Sequence, residues 1–471
     1  MVRCVRRAGS TAVGLVLLLL VASCSIVQGP ITGPGDINLL TGLTLSNVGY
    51  EKSEHFLAGL AFAYKPTAPL TADGAFSVEA DSTVPAPGFN TRMVTIRPTD
   101  PGRFNGTVIV EWLNVSSGID LPTDWIFSHT ELIRSGAAYV GVSAQQVGVN
   151  ALKSGVPDRY GNLVHPGDSF SYGIFTEAGR QIRAHPEQVL GGLTPQRLIA
   201  AGESQSASRM VTYIDAIHPL VDVYDGFMVH SRSGGAAPLT QAPLASVPLP
   251  SPVKIRNDLD EPVMVVQAEG DVISSNLGAR QPDTPTFRSW EMAGTSHADA
   301  YTVQVGFADE GDGSGATKMF DFMRNPLNVG CTAPVNAGPH HWILNAAYHS
   351  LDEWVRTGTP PPIAPLLDVA STSPTVLVRD VHGNAEGGIR TPHVDAPIAR
   401  LDSVNGPAGF CRLFGSTTPF TPAQLAVLYP THADFVAAWS SSLSAAVTAG
   451  FILPADQPEL LAAAESSTVP L

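Results

Sequence analysis

Apolar and polar positions along this chain follow two periodicities, and the place where one gives way to the other divides the sequence. On the N-terminal side, short apolar runs at Phe56 to Tyr64, Phe76 to Glu79 and Thr91 to Arg97 are bounded by Pro, Gly, Asp and Asn. That punctuation predicts short β-strands opening a sheet in antiparallel fashion. From Thr107 onward strand-like and helix-like stretches alternate. Thr107 to Leu113, Ala138 to Val142, Leu198 to Ala201, Gly226 to Val229, Val263 to Gln267 and Thr286 to Met292 read as strands, with helices at Trp125 to Ser135 and Phe175 to Ala184. Such alternation predicts a mostly parallel sheet with helices on its faces.

Past residue 339 the pattern turns helical. Ile343, Ala347, Leu351, Trp354 and Val355 share one face of a helix that Gly358 and the run Pro360 to Pro362 bring to an end. Beyond it lie a strand-like Thr375 to Val378, a Gly-rich turn at Gly383 to Gly388, and helix-like Pro422 to Leu428 and His432 to Ala449. Two segments lack periodicity. Gly29 to Asp36 is Gly/Pro-rich and reads as a tether, and the Pro/Ala/Leu-rich stretch from Ser231 to Pro262 is long enough to be a lid over a site. The expected organisation is a leader over 1–23, a tether over 24–40, a core over 41–358 with 231–262 as the lid insertion, and an added C-terminal subdomain over 359–471 packed on the core.

Composition narrows the class. With 471 residues and 44 % hydrophobic content the chain can bury a large core. Its 27 basic against 42 acidic residues, a formal charge of −15, argue against nucleic acid as a partner. The N-terminus carries Arg3, Arg6 and Arg7 ahead of an uncharged, leucine-rich run from Thr11 to Val21, the layout of a secretory signal. It closes on Val21-Ala22-Ser23-Cys24, which resembles a bacterial lipobox, so Cys24 is the expected lipidation site and the expected location is the extracytoplasmic face of a membrane. Cys4 falls in the leader, leaving Cys331 and Cys411; in an exported chain these two are expected to form a disulfide.

The candidate chemistry centres on Gly202-Glu203-Ser204-Gln205-Ser206, between the apolar run ending at Ala201 and a helix-like stretch. A serine held among small residues at a strand-to-helix turn has its hydroxyl exposed, which makes Ser204 the candidate nucleophile. Ser206 stands where the usual G-x-S-x-G pattern ends in glycine. A serine needs a base, and the base an orienting carboxylate. The strand Val263 to Gln267 runs into Ala268-Glu269-Gly270-Asp271, giving Asp271 as the preferred acid and Glu269 as the alternative. The last strand leads into Ala293-Gly294-Thr295-Ser296-His297, giving His297 as the base. Donors for an oxyanion are expected from the backbone N–H of Gln205 and from Asn114 or Val115 in the loop after Trp112. Glu203 is expected to point away from the substrate. His340 and His341 have no neighbours completing a zinc spacing and are read as structural, while His230 and His349 attract no assignment. The Asn105 and Asn114 glycosylation patterns abut a buried strand and are read as chance.

With these residues in order, the chain resembles the α/β-hydrolase superfamily, and within it a little-characterised bacterial group. Val110 to Ser116, Gly202 to Ser206, Arg288 to Asp299 and Gly338-Pro339-His340-His341-Trp342 carry the likeness. The resemblance implies an α/β fold with a mostly parallel sheet, hydrolysis of an ester or related bond without an organic cofactor or metal, and a small-molecule or lipid-like substrate. It leaves an acyltransferase using the same residues, or a non-catalytic ligand-binding surface lipoprotein, as alternatives. Two departures stand out: Ser206 in place of glycine, and the long segment after His297.

Overall fold

The computed structural model describes residues 25–35, 39, 41–406 and 409–470. The expected leader and the lipidation site Cys24 lie outside the described residues, and no helix among those described is long and apolar enough to cross a membrane.

The centre is a nine-stranded sheet: β1 Ile26–Gln28, β2 Tyr50–Leu60, β3 Gly88–Pro98, β4 Thr107–Trp112, β5 Ala138–Val142, β6 Arg197–Glu203, β7 Gly226–His230, β8 Val263–Ala268 and β9 Phe287–Met292. In space they run β1-β2-β3-β5-β4-β6-β7-β8-β9. The first four in that order pair antiparallel, and every pairing from β5 through β9 is parallel. The parallel strands are covered on both sides, which is why they read as continuous apolar runs. Alternate residues nonetheless go to different cores. Ile109, Ile199, Met228, Val266 and Trp290 join one cluster, and Val108, Val110, Ala200, Phe227 and Val265 join the other.

Helix α1 (Thr123–Ser135) and helix α2 (Ser171–Ala184) lie where the helical patterns predict them. The first turn of α1 has no side-chain cap of its own. Instead Glu111, a buried carboxylate in the middle of β4, accepts from the N–H groups of Asp124 at 3.0 Å and Trp125 at 3.2 Å, and from the Tyr139 hydroxyl at 2.7 Å. An ionisable residue thus sits inside an apolar strand because a helix N-terminus requires an acceptor there.

One difference between the sequence pattern and the fold comes from a buried polar network. The strand expected from Phe56 begins six residues earlier, at Tyr50, since its polar half is neutralised internally. Arg92, fully buried, pairs with Asp120 at 2.8 Å and faces Glu54 at 3.8 Å. Arg159 meets the other oxygen of Glu54 at 2.7 Å. The expected tether is a second correction. Val27 is buried and Ile26–Gln28 extend the sheet as an edge strand on β2, and the carbonyls of Ile31, Gly33 and Gly35 accept from Arg159.

The 231–262 stretch, expected as a lid, carries no helix or strand. Leu239, Val253 and Ile255 bury it in the cluster under α2. The C-terminal residues do the opposite of standing apart. Helix α3 (His340–Thr357) packs along α1, and the terminal helices His432–Thr448 and Gln457–Glu465 place Phe435, Trp439, Leu443 and Leu460 in the same cluster as the sheet residues Met264 and Trp290. Cys331 and Cys411 form the expected disulfide, with Cα atoms 5.5 Å apart.

Candidate active site

The parallel strands end at one edge of the sheet, and the loops leaving β6, β8 and β9 meet there. Ser204 follows β6 directly with φ 57 and ψ −112, a left-handed backbone that a side-chain-bearing residue adopts only when its surroundings enforce it. The enforcement is visible on both sides. A Cβ on Gly202 would come within 2.8 Å of the Ser206 carbonyl oxygen, so that position requires glycine. Ser206, where the motif departs from glycine, folds its hydroxyl back on the turn: Oγ donates to Glu203 O at 2.8 Å and accepts from Glu203 N at 3.2 Å. The substitution therefore closes the turn instead of straining it. The Ser204 N–H donates to His230 O on β7 at 2.9 Å.

Ser204 Oγ lies 2.7 Å from His297 Nε2, and His297 Nδ1 lies 2.6 Å from Asp271 Oδ1. Asp271 is held in turn by the Ala268 N–H, which donates to Oδ2 at 2.8 Å. The three residues expected from sequence are thus brought together in one hydrogen-bonded row. Glu269, the alternative acid, is not part of it. Its buried carboxylate accepts from Gly294 N at 2.5 Å and pairs with Arg379 at 3.1 Å, so it fastens the histidine-bearing loop to the C-terminal region. One residue of chain separates Glu269 from Asp271, and only the turn after β8 decides which of them faces the imidazole.

Glu203 requires a correction of a different kind. Expected to point away, its buried side chain turns inward, with Oε1 3.2 Å from His297 Nε2 and Oε2 accepting from Asn114 Nδ2 at 3.0 Å. Burial pushes the Glu203 carboxyl up to about 7, against the opposing pull of His297. For His297, burial pushes the imidazole down, but the charge and hydrogen bond of Asp271, with Glu203 adding to them, outweigh burial and raise it to about 9. Two carboxylates therefore hold a proton on this ring.

The oxyanion expectations separate as well. The Asn114 N–H donates to Leu121 O at 3.0 Å and its amide side chain to Glu203, so its backbone donor is engaged. Among the described residues, the N–H groups of Val115 and Gln205 have no such partner.

Behind the row lies a chain of groups that sequence reasoning missed. His340, at the start of α3, approaches Ser296 O through Nδ1 at 3.0 Å and His230 Nε2 through its own Nε2 at 2.7 Å; His230 Nδ1 reaches Asp124 at 3.0 Å. Burial pushes the His340 pKa well below its usual value, so the ring is neutral. A neutral ring donating to Ser296 O must accept from His230, which leaves a proton between His230 and Asp124. This row braces the loop carrying His297 from β7 and α1. His341 instead stacks on Tyr301, centroids 3.9 Å apart, and His349 pairs with Glu131 at 2.9 Å. The only signal for these histidines was the Pro-His-His-Trp segment itself, which gives no hint of what the rings touch.

A cavity of about 260 Å³ opens above Ser204. Its lining includes Ser231 to Ser233, the sole part of 231–262 that reaches it, and Ser403, Val404, Arg412 and Leu413. The latter segment also holds the loop carrying His297: Ala298 N donates to Leu413 O at 3.0 Å and Ser296 Oγ to Phe414 O at 3.2 Å. Gly270 permits the approach, since a Cβ there would lie 3.1 Å from Ser403 O.

A family described as an alpha/beta hydrolase domain matches residues 27–462. No curated protein matches the sequence. Among solved structures, esterase Est22 shows 12 % identity and a TM-score of 0.23 over 39 % of this chain and 44 % of that one. A thermostable esterase from Pseudomonas putida ECU1011 shows 14 % identity and a TM-score of 0.25 over 49 % of this chain and 66 % of that one. An esterase of Pyrobaculum calidifontis shows 14 % identity and a TM-score of 0.26 over 43 % of this chain and 72 % of that one. The chain thus spans under half the length of Est22 and about two-thirds of the Pseudomonas enzyme.

Proposed function

The chain belongs to the α/β-hydrolase family matched across residues 27–462, and from that premise we propose that it is a serine hydrolase of carboxylic esters. The observation that carries the reading is the row from Ser204 Oγ through His297 to Asp271, with separations of 2.7 and 2.6 Å. Ser204 Oγ attacks the ester carbonyl while His297 Nε2 takes its proton, and Asp271 orients the ring and stabilises the imidazolium. The oxyanion of the tetrahedral intermediate is held by the N–H groups of Gln205 and Val115. Collapse breaks the bond to the alkoxy oxygen, which leaves as the alcohol with the proton from His297. Water, deprotonated by the same imidazole, then releases the acid from the acyl-enzyme and restores Ser204.

In this reading the protein acts outside the cytoplasm, held to a membrane by a lipid on Cys24, with residues 359–471 as an extension packed on the core. A fluorophosphonate probe tests the chemistry: the wild-type protein is labelled and Ser204→Ala is not, and equal labelling of both defeats the assignment. A panel of p-nitrophenyl esters, hydrolysed by wild type and not by His297→Ala, tests the substrate bond.

A further inference from the structure

Ser204 and His297 sit on separate loops, and the 2.7 Å contact between Ser204 Oγ and His297 Nε2 is only as good as the placement of those loops. One residue is bonded towards both. His230, the last residue of β7, accepts the Ser204 N–H on its carbonyl oxygen at 2.9 Å, and its side-chain Nε2 donates to Nε2 of His340 at 2.7 Å. His340 Nδ1 in turn donates at 3.0 Å to the carbonyl of Ser296, the residue before His297. A path from Ser204 through His230, His340 and Ser296 to His297 thus closes on Ser204 again through the imidazole.

That circuit is also held from outside. His230 and His340 are wholly buried, and Phe127 of α1 packs against both imidazoles, with centroids 5.2 and 4.3 Å away. Asp124 fixes the far side of His230 at 3.0 Å, from the turn of α1 that Glu111 caps. The approach to α3 is seated as closely on the histidine-bearing loop: a Cβ on Gly338 would overlap Gly294 O, so only glycine lets the two backbones meet there. The segment Gly338 to Trp342 therefore has a reason for its glycine and for the first of its histidines, and neither lines the cavity above Ser204.

We propose that His340, set by His230, is a positioning residue for the reaction: it holds the Ser296 carbonyl so that His297 stays in line with Ser204, without itself reaching the substrate. The proposal rests on the serine-hydrolase reading and deepens it. Such a group acts on turnover more than on substrate binding, because His297 moves a proton only in the reaction step.

Amide side chains separate the two bonds of each histidine, since the amide of Asn falls near the place of Nδ1 and that of Gln near the place of Nε2. In place of His340, Asn keeps a donor for Ser296 O and Gln does not. In place of His230, Gln keeps a donor for His340 and Asn does not. With one neutral ester, kcat is expected to fall about ten- to hundredfold in His340→Gln and His230→Asn but only about threefold in His340→Asn and His230→Gln, with KM unchanged throughout. Melting is followed by circular dichroism, and rates are compared well below the transition. Equal losses within both pairs, losses carried by KM, or losses that simply follow the order of melting temperature overturn the positioning role. Where one pair does not fold the other decides, and failure of all four variants to fold overturns the proposal as well, since the row is then needed for the fold itself. Wild-type protein that neither turns over any ester nor takes up a fluorophosphonate on Ser204 defeats the hydrolase reading and this proposal with it; wild-type turnover with equal losses in the variants defeats this proposal alone.

Discussion

Replacing Glu203 by Gln removes one of the two carboxylates that hold a proton on His297 while keeping the shape of the side chain. The remaining amide oxygen can still accept from Asn114 Nδ2, so the substitution acts on charge more than on packing. Only neutral imidazole can take the proton of Ser204, and with His297 raised to about 9 the neutral fraction at pH 7 is about 1 %. Activity in the wild type should therefore climb through the alkaline range. A charge 3.2 Å from the ring shifts a titration by roughly 1–3 units, and the smaller end applies because Asp271 dominates and Glu203 is itself raised to about 7 by burial. The sign follows directly: a lost negative charge weakens the imidazolium, so its pKa falls. A drop of about one unit raises the neutral fraction at pH 7 about tenfold. The assay is kcat/KM for one neutral ester from pH 5 to 10. The expected result is an ascending limb displaced about one unit towards acid in Glu203→Gln, with activity at pH 7 raised relative to the variant's own alkaline plateau. A limb that stays in place, or moves towards alkali, refutes the role given to Glu203.

The two acidic residues after β8 should separate by phenotype. Asp271→Asn is expected to lower kcat by roughly ten-thousandfold, since the ring loses its orienting carboxylate. Glu269→Ala should act through stability instead, costing about 1–3 kcal/mol in denaturant unfolding because Gly294 N and Arg379 lose their partner; the reverse pattern would reassign the acid. Opening the disulfide by Cys331→Ser with Cys411→Ser should destabilise by up to about 4 kcal/mol, given a sequence separation of 80 residues. Because Arg412 and Leu413 adjoin Cys411 and Leu413 holds the histidine loop, esterase activity should decline at temperatures below the main melting transition. Coincident loss of activity and fold in wild type and variant alike would show that the bridge does not support the site.

How far the sequence reached can be judged element by element. The parallel strands were legible because burial on both faces makes them continuous apolar runs, and helix α3 because one face of it carries Ile343, Ala347, Leu351 and Trp354. Polar strands were not. Tyr50 to His55 carries no apolar pattern, and what makes it a strand is the meeting of Glu54 with Arg92 and Arg159, far away in the chain. The edge strand at Ile26–Gln28 escaped for a related reason: three residues cannot display a period, and β2 supplies their hydrogen-bond partners.

The site divides in the same way. Sequence alone determined the turn at Ser204 and offered Asp271 and His297, because a strand followed by small residues is a local arrangement whose steric demands are written in adjacent positions. Tertiary structure set Asp271 and not Glu269 against the imidazole, turned Glu203 towards the same ring, engaged the Asn114 N–H with Leu121, and lined the cavity with Ser403, Val404, Arg412 and Leu413 beside only Ser231 to Ser233 of the 231–262 stretch. Each of those outcomes depends on where a side chain points relative to a group brought up by a distant part of the chain. Burial then sets the strength of the charges so assembled, and neither direction nor burial is a property of neighbouring residues in the sequence.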